Sequence, residues 1–202
     1  MTRRGLLFIL CGPSGVGKTT LAHHLLEHHP TLTFSVSYTT RAARPTEVDG
    51  ADYHFVDLAA FEQMRVENQF AEYANVHGNF YGTAVRTIEQ AWEAGHDVIF
   101  DIDYQGAAQL QQRFDEETVS VLVTPPSLQA LDERLRRRNT DDETVIARRL
   151  ANAQHELAQW RLYDFVIEND ALEHACQQAD AIYTASRCRT FLHERRLESE
   201  FG

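Results

Sequence analysis

The residues Gly12-Pro13-Ser14-Gly15-Val16-Gly17-Lys18-Thr19 constrain this chain more than any other stretch. They fit G-x-x-x-x-G-K-[ST], in which glycines turn the backbone tightly and aim its N–H groups inward as a nest for oxyanions. The apolar run Leu6 to Leu10 precedes the motif, and Leu21, Leu25 and Leu26 follow it at helical spacing. That strand–loop–helix context sets the phosphate nest at a helix N-terminus, where the dipole favours negative charge. Lys18 is expected to reach the outer phosphates of a nucleoside triphosphate, and the Thr19 hydroxyl to sit on Mg²⁺. A glycine-rich turn matching by chance is the bland alternative, and both flanks argue against it.

The chain of 202 residues suits one compact domain that can bury a proper core. Its 43% hydrophobic and 24% charged residues are those of a globular protein, and its formal charge of −11 disfavours a general nucleic-acid binder. No apolar run approaches a membrane span, and Leu6–Cys11 is too short for a secretory leader. Cys11, Cys176 and Cys188 are widely spaced without metal-type pairing, so a reduced, cytoplasmic setting is expected. His23, His24, His28 and His29 crowd one helix. They lack the H-E-x-x-H arrangement and are expected to be solvated.

Residues 5–11 read as a buried strand and 18–29 as a helix ended by Pro30. Thr33–Ser37 is a short β-like run. The block 38–94 differs in its aromatic and polar content: a β-like run at Tyr53–Val56, a helix at 58–67, and a strand with Phe70, Glu72, Ala74 and Val76 on one face. A turn is expected at His77–Gly82 and a helix from about 83 to 94, stopped by Gly95. Strand and helix then alternate: strands at 97–102, 119–123 and 165–167, and helices at 105–114, after the N-cap Ser127, at about 142–160 and at the end. Such alternation predicts an α/β fold with a mostly parallel sheet flanked by helices. The β-rich block is expected as an insertion beyond the carboxyl ends of the strands, where such sheets bind ligands.

The strand through Val98-Ile99-Phe100 delivers Asp101 beside the phosphate loop, with Asp103 on the same side two residues later. Asp101 fits the acid that holds Mg²⁺ or its waters. A capping or turn aspartate is the ordinary alternative. Arg41 and Arg44 lie among the hydroxyls of Ser37, Tyr38, Thr39, Thr40 and Tyr53. Planar guanidinium forks match a phosphate monoester bidentately, so this cluster is a candidate acceptor site.

The order Ser37, Tyr38-Thr39-Thr40-Arg41, Arg44-Pro45, Asp49-Gly50, Asp52-Tyr53 and Phe55-Val56 closely resembles the guanylate kinases. So do Phe70 and Glu72, Val76-His77-Gly78-Asn79, Tyr81-Gly82-Thr83, Asp101-Ile102-Asp103 and Gln105-Gly106-Ala107. Pro125-Pro126-Ser127, Arg134-Leu135, Arg138, Arg149-Leu150, Glu156, Tyr163-Asp164 and Asn169-Asp170 extend the likeness over about residues 5–184. Ala43, Thr46 and Ala71 depart from the family's usual Pro, Gly and Leu and remove no expected ligand.

This resemblance implies transfer of the γ-phosphoryl group from ATP to GMP in purine nucleotide metabolism, by a P-loop nucleoside-phosphate kinase with a β-rich GMP-binding insertion and a small helical lid. The implied division is a core at about 1–37, 95–135 and 155–202, the insertion at 38–94, and the lid at 136–154. Ser37, Arg41, Arg44, Tyr53 and Tyr81 would hold the GMP phosphate, while Glu72, Thr83 and Asp103 would read the guanine. Gly12 to Thr19, Arg134, Arg138 and Asn169 would bind ATP; Lys18, Arg41, Asp101, Arg138 and Arg149 would act in transfer. Tolerance for dGMP and the oligomeric state stay open.

The base chemistry agrees independently. A carboxylate accepts both N1–H and N2–H of guanine, whereas adenine offers an acceptor at N1, a mismatch able to discriminate by roughly 10⁴-fold. A non-catalytic module of the family would be expected to degrade Lys18 and Thr19. A sugar-phosphate acceptor would leave Glu72, Thr83 and Asp103 without a base to read. The tail beyond about 185, with Arg187, Arg189, Arg195 and Arg196, is expected to be a solvated helix.

Overall fold

A computed structural model describes residues 4–76, 78–137 and 142–202. The chain opens with β1 (Leu7–Cys11), buried along its whole length. Leu6, Phe8 and Leu10 point to one side and Leu7, Ile9 and Cys11 to the other, each into its own apolar cluster. A central parallel strand is covered on both faces, so it reads as an unbroken apolar run instead of an alternating one.

The remaining elements follow in order: α1 (Lys18–His28), β2 (Leu32–Phe34), β3 (Tyr38–Thr39), β4 (His54–Phe55), α2 (Leu58–Val66), β5 (Phe70–Val76), β6 (Asn79–Ala84) and α3 (Val85–Glu93). After them come β7 (Asp97–Asp101), α4 (Tyr104–Arg113), β8 (Thr118–Thr124), α5 (Leu128–Arg137), α6 (Glu143–Leu157), β9 (Phe165–Glu168), α7 (Leu172–Ser186) and α8 (Glu194–Phe201). Strands β2, β7, β1, β8 and β9 form, in that order, a wholly parallel sheet. Leu21, Leu25, Ala175, Ala179 and Tyr183 of α1 and α7 cover one face, while Ile88, Trp92, Ala107 and Leu110 of α3 and α4 cover the other. The fold is therefore α/β, as the alternation predicts. Among the described residues no helix is long and apolar enough to cross a membrane.

The other sheet, ordered β4-β3-β6-β5, is mixed, with β5 and β6 antiparallel. It encloses its own small aromatic core of Tyr38, Phe61 and Phe70. Several groups tie it to the main body, Arg113 of α4 among them, which donates to the Phe70 carbonyl at 3.0 Å. Ala71 enters the cluster around Leu7 and Ile9, and Gln109 of α4 donates to the Tyr73 carbonyl (2.7 Å) and accepts from its N–H (3.1 Å).

Four local expectations change. Asn79–Gly82, expected as a turn, lies in β6, and α3 begins at Val85 because Thr83 and Ala84 complete the pairing with β5. A bulge between Phe70 and Glu72 turns Phe70 into the aromatic core, away from the face that Glu72, Ala74 and Val76 share. His24 and His29 are not merely solvated: their Nε2 atoms clasp the two carboxylate oxygens of Asp180 on α7, at 2.7 and 2.9 Å. The tail also does more than meet water. Arg187 donates to both oxygens of Asp97 (2.9 and 2.8 Å), and Arg189 donates to the carbonyls of Glu116 and Thr118. Asp97 is fully buried and also accepts from the Leu6 N–H (2.9 Å) and the Tyr183 hydroxyl (2.7 Å), so the start of β7, the entry to β1 and α7 meet at one carboxylate.

Candidate active site

A cleft of about 370 Å³ opens between the carboxyl ends of the parallel strands and the mixed sheet. One wall is the phosphate loop, with Gly12, Ser14, Gly15, Gly17, Lys18 and Thr19 lining the space. Gly17 sits at φ +104° immediately before α1, and a Cβ there would run into the side-chain amide of Asn169. Only glycine meets both conditions at once. Asn169, nearly buried, donates from Nδ2 to the Val16 carbonyl (2.7 Å), and its own carbonyl accepts from Arg134 (2.8 Å). Both therefore brace the loop from behind. Val16 is fully buried beneath it, and Pro13 accepts from the Val16 N–H within the turn.

Lys18 lies over the loop, with Nζ 2.7 Å from the Gly12 carbonyl and 3.6 Å from Asp101 Oδ1. The Thr19 hydroxyl donates to Asp101 Oδ2 at 3.0 Å. A hydroxyl and a carboxylate thus converge at the N-terminus of α1 beside an ammonium. Hard oxygen donors of this kind suit Mg²⁺, which keeps several waters and takes only one or two protein ligands.

The opposite wall carries Ser37, Tyr53, Glu72, Ala74, Val76 and Tyr81. Glu72 is 3% exposed. Burial pushes its carboxyl up to about 7; the Thr83 hydroxyl and N–H oppose that rise, and the nearby charge of Asp103 adds to it. Thr83 lies fully buried behind Glu72, bridged to Ser35 (3.2 Å) and Ser37 (3.3 Å). Gly106 on α4 makes room for the carboxylate, since a Cβ there would stand 2.6 Å from Glu72 Oε2. Asp103 lines the floor and caps α4, accepting from the N–H groups of Gln105 and Gly106 at 3.0 Å each. A cap and a cleft-lining acid are thus the same residue.

Arg41 stands at the rim, its guanidinium 5.4 Å from the Tyr53 ring centroid and bonded to Glu47. Arg44 is largely exposed beside the same carboxylate. Arg149 lies on α6, half-buried, and Arg138 lies outside the described residues. Arg136 pairs with Asp132 and Glu143, joining α5 to α6.

Two acids at the site escaped the reading of roles. Glu156 of α6 lines the cleft, and burial raises its carboxyl pKa. Glu47 had a signal available, an acid placed three and six residues after two arginines in one loop.

A family model described as guanylate kinase matches residues 4–186. A guanylate kinase from Rhizobium meliloti is 46% identical over 94% of this chain and 86% of its own length. One from Bartonella quintana is 49% identical over 93% of this chain and 84% of its own. Among solved structures, a guanylate kinase from Anaplasma phagocytophilum superposes with a TM-score of 0.79 at 33% identity, covering 99% of this chain and 97% of that one. Phosphate loop and buried acid share one cleft, with Arg41 against its wall residue Tyr53, in a chain that these relatives match nearly end to end, and the chain belongs to the guanylate kinase family.

Proposed function

We propose that this chain transfers the γ-phosphoryl group of ATP to GMP, giving ADP and GDP, with the phosphate loop as donor site and the mixed-sheet wall as acceptor site. The observation that carries the reading is Glu72, a buried carboxylate in the same cleft as Lys18 and Thr19. Its ionised form accepts the N1–H and N2–H of guanine together, and adenine leaves it facing an acceptor. Ser37, Tyr53 and Tyr81 offer hydroxyls to the GMP phosphate, with Arg41 and Arg44 at the rim.

Phosphoryl transfer asks the protein mainly to align donor and acceptor and to stabilise charge on the moving group. Lys18 and the loop N–H groups supply positive potential on the donor side. Thr19 and Asp101 would hold Mg²⁺, which screens the phosphate charge when bound. The division into core, insertion (38–94) and lid (136–154) belongs to this reading, with Arg134, Arg138 and Arg149 on the donor side; lid closure would exclude water that wastes ATP. A cytoplasmic setting also fits, since Cys11, Cys176 and Cys188 are free thiols.

An assay of ADP release across GMP, dGMP, AMP, UMP and a ribose bisphosphate tests the assignment. GMP is expected to be the preferred acceptor, and absence of turnover with GMP would overturn it.

A further inference from the structure

The arginine expected to receive the acceptor phosphate is already held by an acid. Glu47 Oε1 accepts from Arg41 Nη2 at 2.8 Å and Oε2 from Nη1 at 3.0 Å, a closed two-bond fork. Nη1 also donates to the Ala42 carbonyl at 2.7 Å. The guanidinium lies against the rings of Tyr53 (5.4 Å) and Phe55 (5.8 Å). Glu47 in turn accepts from the Arg44 N–H at 2.7 Å and faces the Arg44 guanidinium at 3.8 Å. The Arg41 and Glu47 side chains are 18% and 12% exposed, so this is no ordinary solvent-spread surface pair.

A guanidinium has five N–H donors. Glu47 and Ala42 engage three of them, which leaves one on Nη2 and the one on Nε. Tyr81, a wall residue of the cleft, lies near this guanidinium and, after Glu47, helps hold its pKa up. The Tyr53 ring beneath the guanidinium packs edge-on against Tyr81 at 5.9 Å, so Arg41 lies on the side of the cleft where these hydroxyls gather. A free arginine side chain loses rotamer entropy when it is fixed. Here the fixing precedes any ligand.

We propose that Glu47 is a positioning residue for the acceptor phosphate: it pins the Arg41 fork so that the remaining N–H edge is preset toward the phosphate of the nucleoside monophosphate. This rests on the acceptor reading above. Two opposite effects follow from losing the carboxylate. Net positive charge at the rim rises, which favours a dianion, while the pinned geometry disappears. A preset bidentate fork is worth more to a phosphate than one unit of neighbouring charge, so the loss of geometry dominates.

The test compares GMP with guanosine, which presents the same base and sugar without the phosphate. In the Glu47→Gln variant, GMP affinity is expected to fall about tenfold, the worth of one hydrogen bond to a charged group, while guanosine affinity stays unchanged. KM for GMP should rise in step, with kcat changed far less. Arg41→Lys keeps the charge and loses the fork, so it should reproduce the defect, and Glu47→Gln added to it should cost little more. Glu47→Gln binding GMP as tightly as the parent, or more tightly, would overturn the inference and make the carboxylate a competing counter-ion. Equal loss of GMP and guanosine would overturn it too, by making the role one of loop structure. A parent protein that binds guanosine as well as GMP would sink the acceptor-phosphate reading itself, and the inference with it.

Discussion

Asp97 and Glu72 are both buried acids, one in the main body and one in the cleft, and their surroundings are opposite. Asp97 is fully enclosed and receives donors from Leu6, Tyr183 and twice from Arg187. Glu72 has, among the described residues, Thr83 as the donor that holds its charge, with another acid, Asp103, close by. A buried charge that is fully partnered fixes architecture, whereas one left short of donors is poised to accept them from a ligand. Position in the sheet makes the difference. Asp97 lies at the amino end of β7, where the chain termini can fold over it, while Glu72 faces the open carboxyl ends of the parallel strands.

The largest effect expected from this contrast is on specificity. Glu72→Gln should keep the fold and abolish base discrimination, erasing a GMP-over-AMP preference of up to about 10⁴-fold in kcat/KM. A variant that still rejects AMP as the parent does would remove Glu72 from base reading.

Asp97→Ala should do the reverse. It strands Arg187 and the Leu6 N–H without their acceptor and should cost about 3–5 kcal/mol of stability in a urea titration, the range for breaking a buried pair. The acceptor preference of its folded fraction should be unaltered. A loss below about 1 kcal/mol would mean the clasp is dispensable.

The pH dependence sharpens the comparison further. With the Glu72 carboxyl pushed up to about 7, the ionised form that guanine needs declines about tenfold per unit below that value. KM for GMP should therefore climb between pH 7 and pH 5, and the climb should vanish in Glu72→Gln. The sign for stability is opposite to that of an ordinary salt-bridged acid. Because the folded pKa lies above the unfolded value of 4.5, the native state holds the extra proton. Stability attributable to Glu72 is thus full below about 4.5 and is lost as pH rises toward 7. Relative to the parent, Glu72→Gln should gain stability across that interval, by up to about 3 kcal/mol.

The smallest expected effect calibrates the others. Ser127 caps α5 by accepting the Ala130 N–H at 3.0 Å, far from either acid in role. Ser127→Ala should cost about 1 kcal/mol by denaturant titration and leave GMP selectivity untouched.

Much of the donor half was readable because it is local. Gly12 to Thr19 lies between a strand and a helix in one continuous stretch, and each residue's expected task follows from its place in the loop. Continuous apolar runs likewise exposed β1, β7 and β8, since a parallel strand buried on both faces shows its burial directly in composition. The acceptor half was legible in residue type but not in detail. The Phe70–Glu72 bulge reverses which side chains share a face, and no period-two count contains a bulge.

The sequence by itself determined the phosphate loop, the α/β class and the acids and arginines available, because these depend on neighbours in the chain. Tertiary structure alone decided how those groups are spent. The Asp97–Arg187 clasp, the grip of His24 and His29 on Asp180, and the brace from Asn169 to Val16 join residues distant in sequence. Whether a buried acid is satisfied or left waiting depends on donors that only folding brings within about 3 Å.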